Sequence, residues 1–417
     1  MEFQKIKLHR SEKNRAAVTQ ITLDDDYNVP DYRQDIVKVI KERGELRFDE
    51  VKAMEGAAWI KGSLLFKVLY RSDKQEGKIS CLRGEIPFQE RLNMDGLSEY
   101  DAVHATGDME DLTIGVINSR KLNVRAVIVL TASSEKEVDE ELTCELSDGS
   151  SYEQNIVEKE ALKLLVVRRD ICRQKSEAVL PSSKPNIREI LWQSMQLRNV
   201  ESRLVEGNIR LSGEILVSIL YNDEEEGEHL SWYETTVPLD AQAECGVMED
   251  DCIWQVQMVP LTMELEVKPD YDGEERILGM ELALDTHIRI WKEEKIRLLT
   301  DLYSLQKEVK PVFRECPLER LLVKNAAKCR MTEQMELKED KEKVLQICSC
   351  EGKVLLERQE IKPDGVLAEG TVEVNILYIT PDDHMPVGAV QEIYPFSQLV
   401  EIPEMSAQAK VELDASL

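Results

Sequence analysis

One strand-length phrase occurs three times in this chain. Gly62-Ser63-Leu64-Leu65-Phe66-Lys67-Val68-Leu69-Tyr70 returns as Gly213-Glu214-Ile215-Leu216-Val217-Ser218-Ile219-Leu220-Tyr221 and again as Gly370-Thr371-Val372-Glu373-Val374-Asn375-Ile376-Leu377-Tyr378. Gly44, Met195 and Gly352 each stand 18 residues before the leading glycine, and Pro87, Pro238 and Pro395 each stand 17 after the tyrosine. Between the second and third copies, Leu142–Leu239 maps onto Leu299–Phe396 at a constant offset of 157. Solenoid repeats run to roughly 20–50 residues and cannot bury a core alone. A unit of about 150 residues can. The expectation is therefore three homologous domains in tandem, at 1–141, 142–298 and 299–417.

Each copy reads in the same order. Ile36, Val39 and Ile40 fall at i, i+3, i+4, as do Ile187, Ile190, Leu191 and Val344, Ile347, Cys348. That spacing predicts a short amphipathic helix. A strand follows, then a turn with Gly56, Gly207 or Asp364-Gly365, residues that tolerate positive φ. In the signature strand Leu64, Phe66, Val68 and Tyr70 alternate onto one face, and so do Ile215, Val217, Ile219, Tyr221 and Val372, Val374, Ile376, Tyr378. Period two that survives changes of residue identity means that one face is buried. Acidic or polar loops follow each tyrosine at 72–77, 222–227 and 380–383. A second strand runs into Pro87, Pro238 or Pro395, placed at a strand end where no ladder donor is needed. Two further strands complete copies one and two, in the manner of a meander or sandwich edge. The third copy lacks that last hairpin, so the chain reads as a truncated form. Its third sheet would expose an edge that favours self-association. The fold class expected is mainly β: three sandwich-like domains, each with a short helix, the third incomplete.

The recurring residues Gly62, Gly213, Gly370, Tyr70, Tyr221, Tyr378, Pro87, Pro238 and Pro395 are makers of architecture. The tyrosines read as structural hydroxyls near a strand end, and the glycines as a bulge or close packing. Histidines 9, 104, 229, 287 and 384 occupy five non-equivalent places without ligand spacing. His229 beside Glu224-Glu225-Glu226 reads as part of a solvated loop, with a weak cation site as the alternative. Cys172 and Cys329 are equivalent, each followed by Arg, and are expected as small buried core residues. Cys348-Ser349-Cys350 lacks the second pair that a zinc site needs. No phosphate-binding loop or nucleophile elbow occurs. The expectation is no enzyme, no metal and no cofactor.

The formal net charge of −28 opposes binding to phosphate backbones and to anionic membrane. Aromatics, at 5%, are sparse for a protein that stacks sugars or bases. Met1–Arg15 is basic without an apolar run, so it is no secretory signal. The longest apolar stretches are of strand length, so no membrane-spanning helix is expected. The chain reads as cytosolic.

The Gly-(alternating aliphatics)-Ile/Val-Leu-Tyr strand, the preceding Lys343-Val344-Leu345-Gln346-Ile347-Cys348-Ser349-Cys350 segment and the Asp364-Gly365-Val366-Leu367-Ala368-Glu369-Gly370 turn resemble the SPOCS domain of SipL-like spore-coat morphogenetic proteins of clostridia. The resemblance covers nearly the whole chain and is clearest in the third copy. It implies a non-enzymatic mother-cell scaffold at the surface of the developing spore that binds other coat assembly proteins. It also implies a C-terminal LysM module that docks the coat-basement ATPase SpoIVA. The module is not found in this sequence, which puts direct docking by this chain in doubt. The alternative reading is a carbohydrate- or wall-binding β-sandwich array, and a third is a hydrolase with its site between domains.

Overall fold

The computed structural model describes residues 2–72, 78–147, 152–224, 229–247, 251–306, 308–335, 337, 343–403, 405–406 and 408–417. Residues 73–77 and 225–228, which include most of the first acidic loop and half of the second, lie outside the described residues. The first repeat supplies β1 (Phe3–Asn28), β2 (Lys38–Met54), β3 (Ala57–Arg71), β4 (Ile79–Asn93), β5 (Val103–Asn118) and β6 (Lys121–Leu146). The second supplies β7 (Glu153–Val179), β8 (Ile187–Val205), β9 (Asn208–Asp223), β10 (Leu230–Glu244), β11 (Cys252–Pro269) and β12 (Glu275–Tyr303). The third supplies β13 (Gln346–Lys362), β14 (Gly365–Ile379) and β15 (Val387–Glu401). They form five antiparallel three-stranded sheets, so the fold is mainly β.

Three of these are inner sheets, β2-β3-β4, β8-β9-β10 and β13-β14-β15, each with a signature strand at its centre. The other two, β1-β6-β5 and β7-β12-β11, are outer sheets. The first outer sheet covers the first inner sheet through β5 on β2 and β1 on β4. The second does the same through β11 on β8 and β7 on β10. Leu64, Phe66, Val68 and Tyr70 are sealed in the first sandwich core with Leu122, Val124, Ile128 and Leu130. Ile215 and Val217 are sealed in the second with Leu282, Leu284, Ile288 and Ile290. Fully burying one such side chain contributes about 1.5–3 kcal/mol. In the third repeat Val372, Val374 and Ile376 are only half-buried.

The expected amphipathic helices are absent, and no helix occurs among the described residues: Val39 and Ile40, Ile187, Ile190 and Leu191, and Ile347 and Cys348 lie in β2, β8 and β13, while Ile36 and Val344 precede their strands. The reason is a β-bulge repeated at one position. Val39 pairs with Tyr70 and Lys41 with Leu69, so Ile40 is skipped. Ile190 pairs with Tyr221 and Trp192 with Leu220, so Leu191 is skipped. Ile347 pairs with Tyr378 and Ser349 with Leu377, so Cys348 is skipped. A skipped residue breaks the alternation and leaves two adjacent apolar residues, which counterfeits helical spacing.

A second bulge explains the leading glycines. Asp49 is skipped opposite Gly62, Asn199 and Val200 opposite Gly213, and Glu357 opposite Gly370. The bulged strand thrusts a carbonyl onto the glycine: a Cβ on Gly213 would lie 2.9 Å from the Arg198 oxygen, and Cβ atoms on Gly62 and Gly370 would overlap those of Arg47 and Leu355. Gly370→Ala is therefore expected to destabilise the chain by about 1–3 kcal/mol, by urea titration.

The prolines are not at strand ends. Pro87, Pro238 and Pro395 sit mid-strand, opposite Ser63, Glu214 and Thr371. They are tolerated because β4, β10 and β15 are edge strands with one side free of ladder bonds.

Candidate functional site at the junction of three sheets

The inner sheets meet one another in cyclic order: β4 lies against β8, β10 against β13, and β15 against β2. Because β4, β10 and β15 are equivalent, as are β2, β8 and β13, the contacts are one heterologous interface used three times, and the ring closes. The second face of each signature strand points into this ring. Leu69, Leu220 and Leu377, equivalent in the three repeats, are buried together with Ile79, Leu191, Trp192, Cys348 and Val387. The bulged residues Ile40, Leu191 and Cys348 all pack there, so the bulge aims one apolar side chain per repeat at the shared junction.

Next to this apolar cluster the threefold pattern is broken by charge. Lys41, Trp192 and Ser349 hold equivalent places, as do Arg43, Ser194 and Glu351, and Lys67, Ser218 and Asn375. Trp192 is 1% exposed. The Lys41 and Lys67 ammonium groups stand 5.4 and 5.0 Å from its ring centre. The Trp192 indole N–H donates to Glu351 at 3.3 Å. Glu351 is also 3.3 Å from Arg43 and 3.7 Å from Lys41. Ser218 and Ser349 hydroxyls are 3.1 Å apart, and the Gln196 amide donates to the Cys350 carbonyl at 2.9 Å. The second and third repeats are thus joined by hydrogen bonds, and the first and third by an ion pair.

The titration of these groups follows from burial and from one another. Burial would raise the Glu351 carboxyl, but the Lys41 and Arg43 charges, with hydrogen bonds from Trp192 and Ser194, outweigh it and hold it below the usual range. Burial pushes Lys41 down, against the pull of Glu351. Burial also pushes Lys67 down to about 8, and its Nζ, sealed from solvent, makes no hydrogen bond. A lysine depressed in the fold takes up fewer protons than it does unfolded, so stability rises as pH climbs from about 8 to the lysine's ordinary 10.5. Lys67→Met is expected to stabilise the chain by about 1–3 kcal/mol near pH 7. Thermal melts against pH should show that advantage shrinking above pH 8.

The sequence-derived residues fall as follows. Tyr70 and Tyr221 are buried beneath equivalent backbone partners, their hydroxyls donating to the Gln34 and Pro185 carbonyls at 3.1 Å each. Burial raises both, Tyr221 to about 12. Tyr378 is buried against Gly388, where a Cβ would meet its ring. The three glycines lie opposite the second bulge and the three prolines on edge strands, so these nine residues do not form one site. Cys172 is buried, but Cys329 is exposed, because the segment that carries it lies outside any sheet. Burial lifts the Cys348 thiol to about 12, which leaves it inert as a nucleophile. No group of three or more His, Cys, Asp or Glu able to hold a metal occurs among the described residues.

A second meeting place joins residues that no spacing in the chain relates. His104 on β5 and His287 on β12 lie with ring centres 5.5 Å apart and planes tilted by 38°, where the first outer sheet faces the second. Glu135 lies 3.9 Å from His287 and 3.3 Å from Arg289, and Arg169 is 3.3 Å from His104. Burial lowers both histidines; next, Arg169 lowers His104 and Arg289 lowers His287, against the pull of Glu135. Histidines depressed in the fold bind fewer protons than in the unfolded chain, so their contribution is present above the ordinary value of 6.5 and lost as pH falls. The melting temperature is expected to drop from pH 7 to pH 5, and less steeply in His104→Asn/His287→Asn.

No helix is long and apolar enough to cross a membrane among the described residues. Comparison with curated proteins and with solved structures gave no match. Residues 35–117 and 343–417 each match the family model of the SipL SPOCS domain. The two stretches begin at equivalent positions and contain the inner strands β2–β4 and β13–β15. The chain thus carries the SipL-type SPOCS domain, in its first and third repeats.

Proposed function

We propose that the chain is a non-enzymatic scaffold of spore coat or envelope morphogenesis, acting in the mother cell at the forespore surface and holding coat assembly proteins together. The observation that carries the reading is the pairing of two SPOCS matches with a closed ring of repeats. The residues that recur serve strands, bulges and the junction, and no reactive group recurs with them. We read the three units as 1–141, 142–298 and 299–417, each built around one inner sheet. Such a ring is a rigid core that presents different outward surfaces from homologous repeats. SpoIVA is the first partner to test, with contact through a LysM module as the route the resemblance implies.

The test is deletion of the gene in a sporulating host, with fluorescent coat proteins followed by microscopy. Coat proteins should fail to encase the forespore, and the wild-type chain, but not a Trp192→Ala chain, should restore encasement. Normal encasement in the deletion strain contradicts the reading, and selective retention of the purified chain on peptidoglycan or glycan arrays would favour wall binding instead.

A further inference from the structure

The third repeat holds a strand-like segment in the place where the other repeats hold a paired strand. At the offset of 157 that aligns the copies, Leu165–Arg173 of β7 corresponds to Leu322–Arg330. In the second repeat that stretch of β7 is paired with β12, from Arg173 opposite Ala283 to Val166 opposite Ile290. The first repeat does likewise, pairing β1 with β6 along their whole lengths. Leu322–Arg330 belongs to no strand. Leu165, Val166 and Cys172 pack in the second sandwich core. Their equivalents are exposed: Leu322 at 43%, Val323 at 45%, and Cys329.

The segment is nevertheless anchored at its start. Cys316 and Leu318 pack into an apolar cluster with Leu8, Leu142, Ala161 and Ile296, where the two outer sheets meet. The Leu162 N–H donates to the Glu319 carbonyl at 2.7 Å and the Leu321 N–H to Glu293 at 2.9 Å. The backbone is therefore set down beside the second outer sheet just before the exposed stretch begins.

Charge says what fits it. In a chain of net charge −28, Leu322–Arg330 carries Lys324, Lys328 and Arg330 and no acidic residue. Ion pairs cross both precedents in either sense, as Asp26 of β1 with Lys121 of β6 and Glu158 of β7 with Lys295 of β12 show, but along and beside the stretch of β7 equivalent to 322–330 the base lies on β7 and the acid on β12. Lys5 meets Glu141 and Arg10 meets Glu140 across β1 and β6, and Arg169 meets Asp285 and Lys175 meets Glu281 across β7 and β12. In β12 Glu281 and Asp285 fall on the face opposite buried Leu282, Leu284, Ile288 and Ile290.

We propose that Leu322–Arg330 is a docking strand for a partner protein, which adds an antiparallel β-strand of alternating aliphatic and acidic residues. Backbone hydrogen bonds supply affinity, and Leu322, Val323 and Cys329 become covered as their counterparts are in the second repeat. The proposal holds whatever process the chain serves.

The test titrates the full chain with a synthetic peptide of the β12 sequence, Glu281–Trp291, and follows amide hydrogen exchange. Exchange at 322–330 should slow by about tenfold or more as the strand forms, while exchange in β3, β9 and β14 stays unchanged. Leu322→Asp/Val323→Asp, on an exposed stretch, should keep the far-ultraviolet spectrum and lose the protection. A peptide with Glu281→Lys and Asp285→Lys should bind at least about tenfold more weakly. Absence of protection at saturating peptide overturns the proposal. So does protection without peptide that grows with protein concentration, which would assign the segment to a second copy of this chain.

Discussion

Replacing Glu351 with alanine should destabilise the folded chain by about 3–5 kcal/mol, because it leaves buried positive charge without its counter-charge. Glu351 is the only carboxylate that the described ion pairs bring to Lys41; it also meets Arg43, which has Glu45 as a second, exposed partner, and it accepts the Trp192 indole N–H. Lys41 and Lys67 would remain against Trp192 with nothing to balance them. Urea titration followed by tryptophan fluorescence measures the loss. A buried pair replaced on both sides by apolar groups is often neutral, so Lys41→Met/Glu351→Leu should recover much of it. A loss below about 0.5 kcal/mol, the size of an ordinary surface change, would mean that the cluster is not buried as described.

Trp192→Ala should remove about 3–5 kcal/mol for a different reason: it opens a large cavity where all three inner sheets touch. Its position matters more than its size. Trp192 belongs to β8, yet the cluster around it includes Leu69 from β3, Leu377 from β14 and Val387 from β15. Hydrogen exchange should therefore accelerate in β3, β9 and β14 together. Acceleration confined to β8, β9 and β10 would show that the second repeat folds on its own and that the junction carries little energy.

The physics of strands decided how much of this was legible. Leu64, Phe66, Val68 and Tyr70 announced a buried face because period two is a local pattern that needs no knowledge of the partner. The opposite face was not legible: Lys67, Ser218 and Asn375 look like solvent positions, and ring closure buries Ser218 and half-buries the other two. Ile40, Leu191 and Cys348 misled for a local reason, since one bulged residue turns alternation into helical spacing. β1 and β7 went unread because they are edge strands with a polar face and irregular pairing, as between Lys13 and Arg15. His104 and His287 lie on different outer sheets, so no spacing in the chain could join them. Cys329 was expected in a core by its equivalence to Cys172, but a core position exists only where a second sheet covers it.

The central claim is that three repeats close around one junction instead of standing as beads. A double-mutant cycle between Lys41→Met and Glu351→Gln tests it most directly, because one residue is in the first repeat and the other in the third. Closure predicts a coupling energy of about 1 kcal/mol or more. Effects that add to within about 0.3–0.5 kcal/mol would place the two residues in independent units and contradict the closed ring.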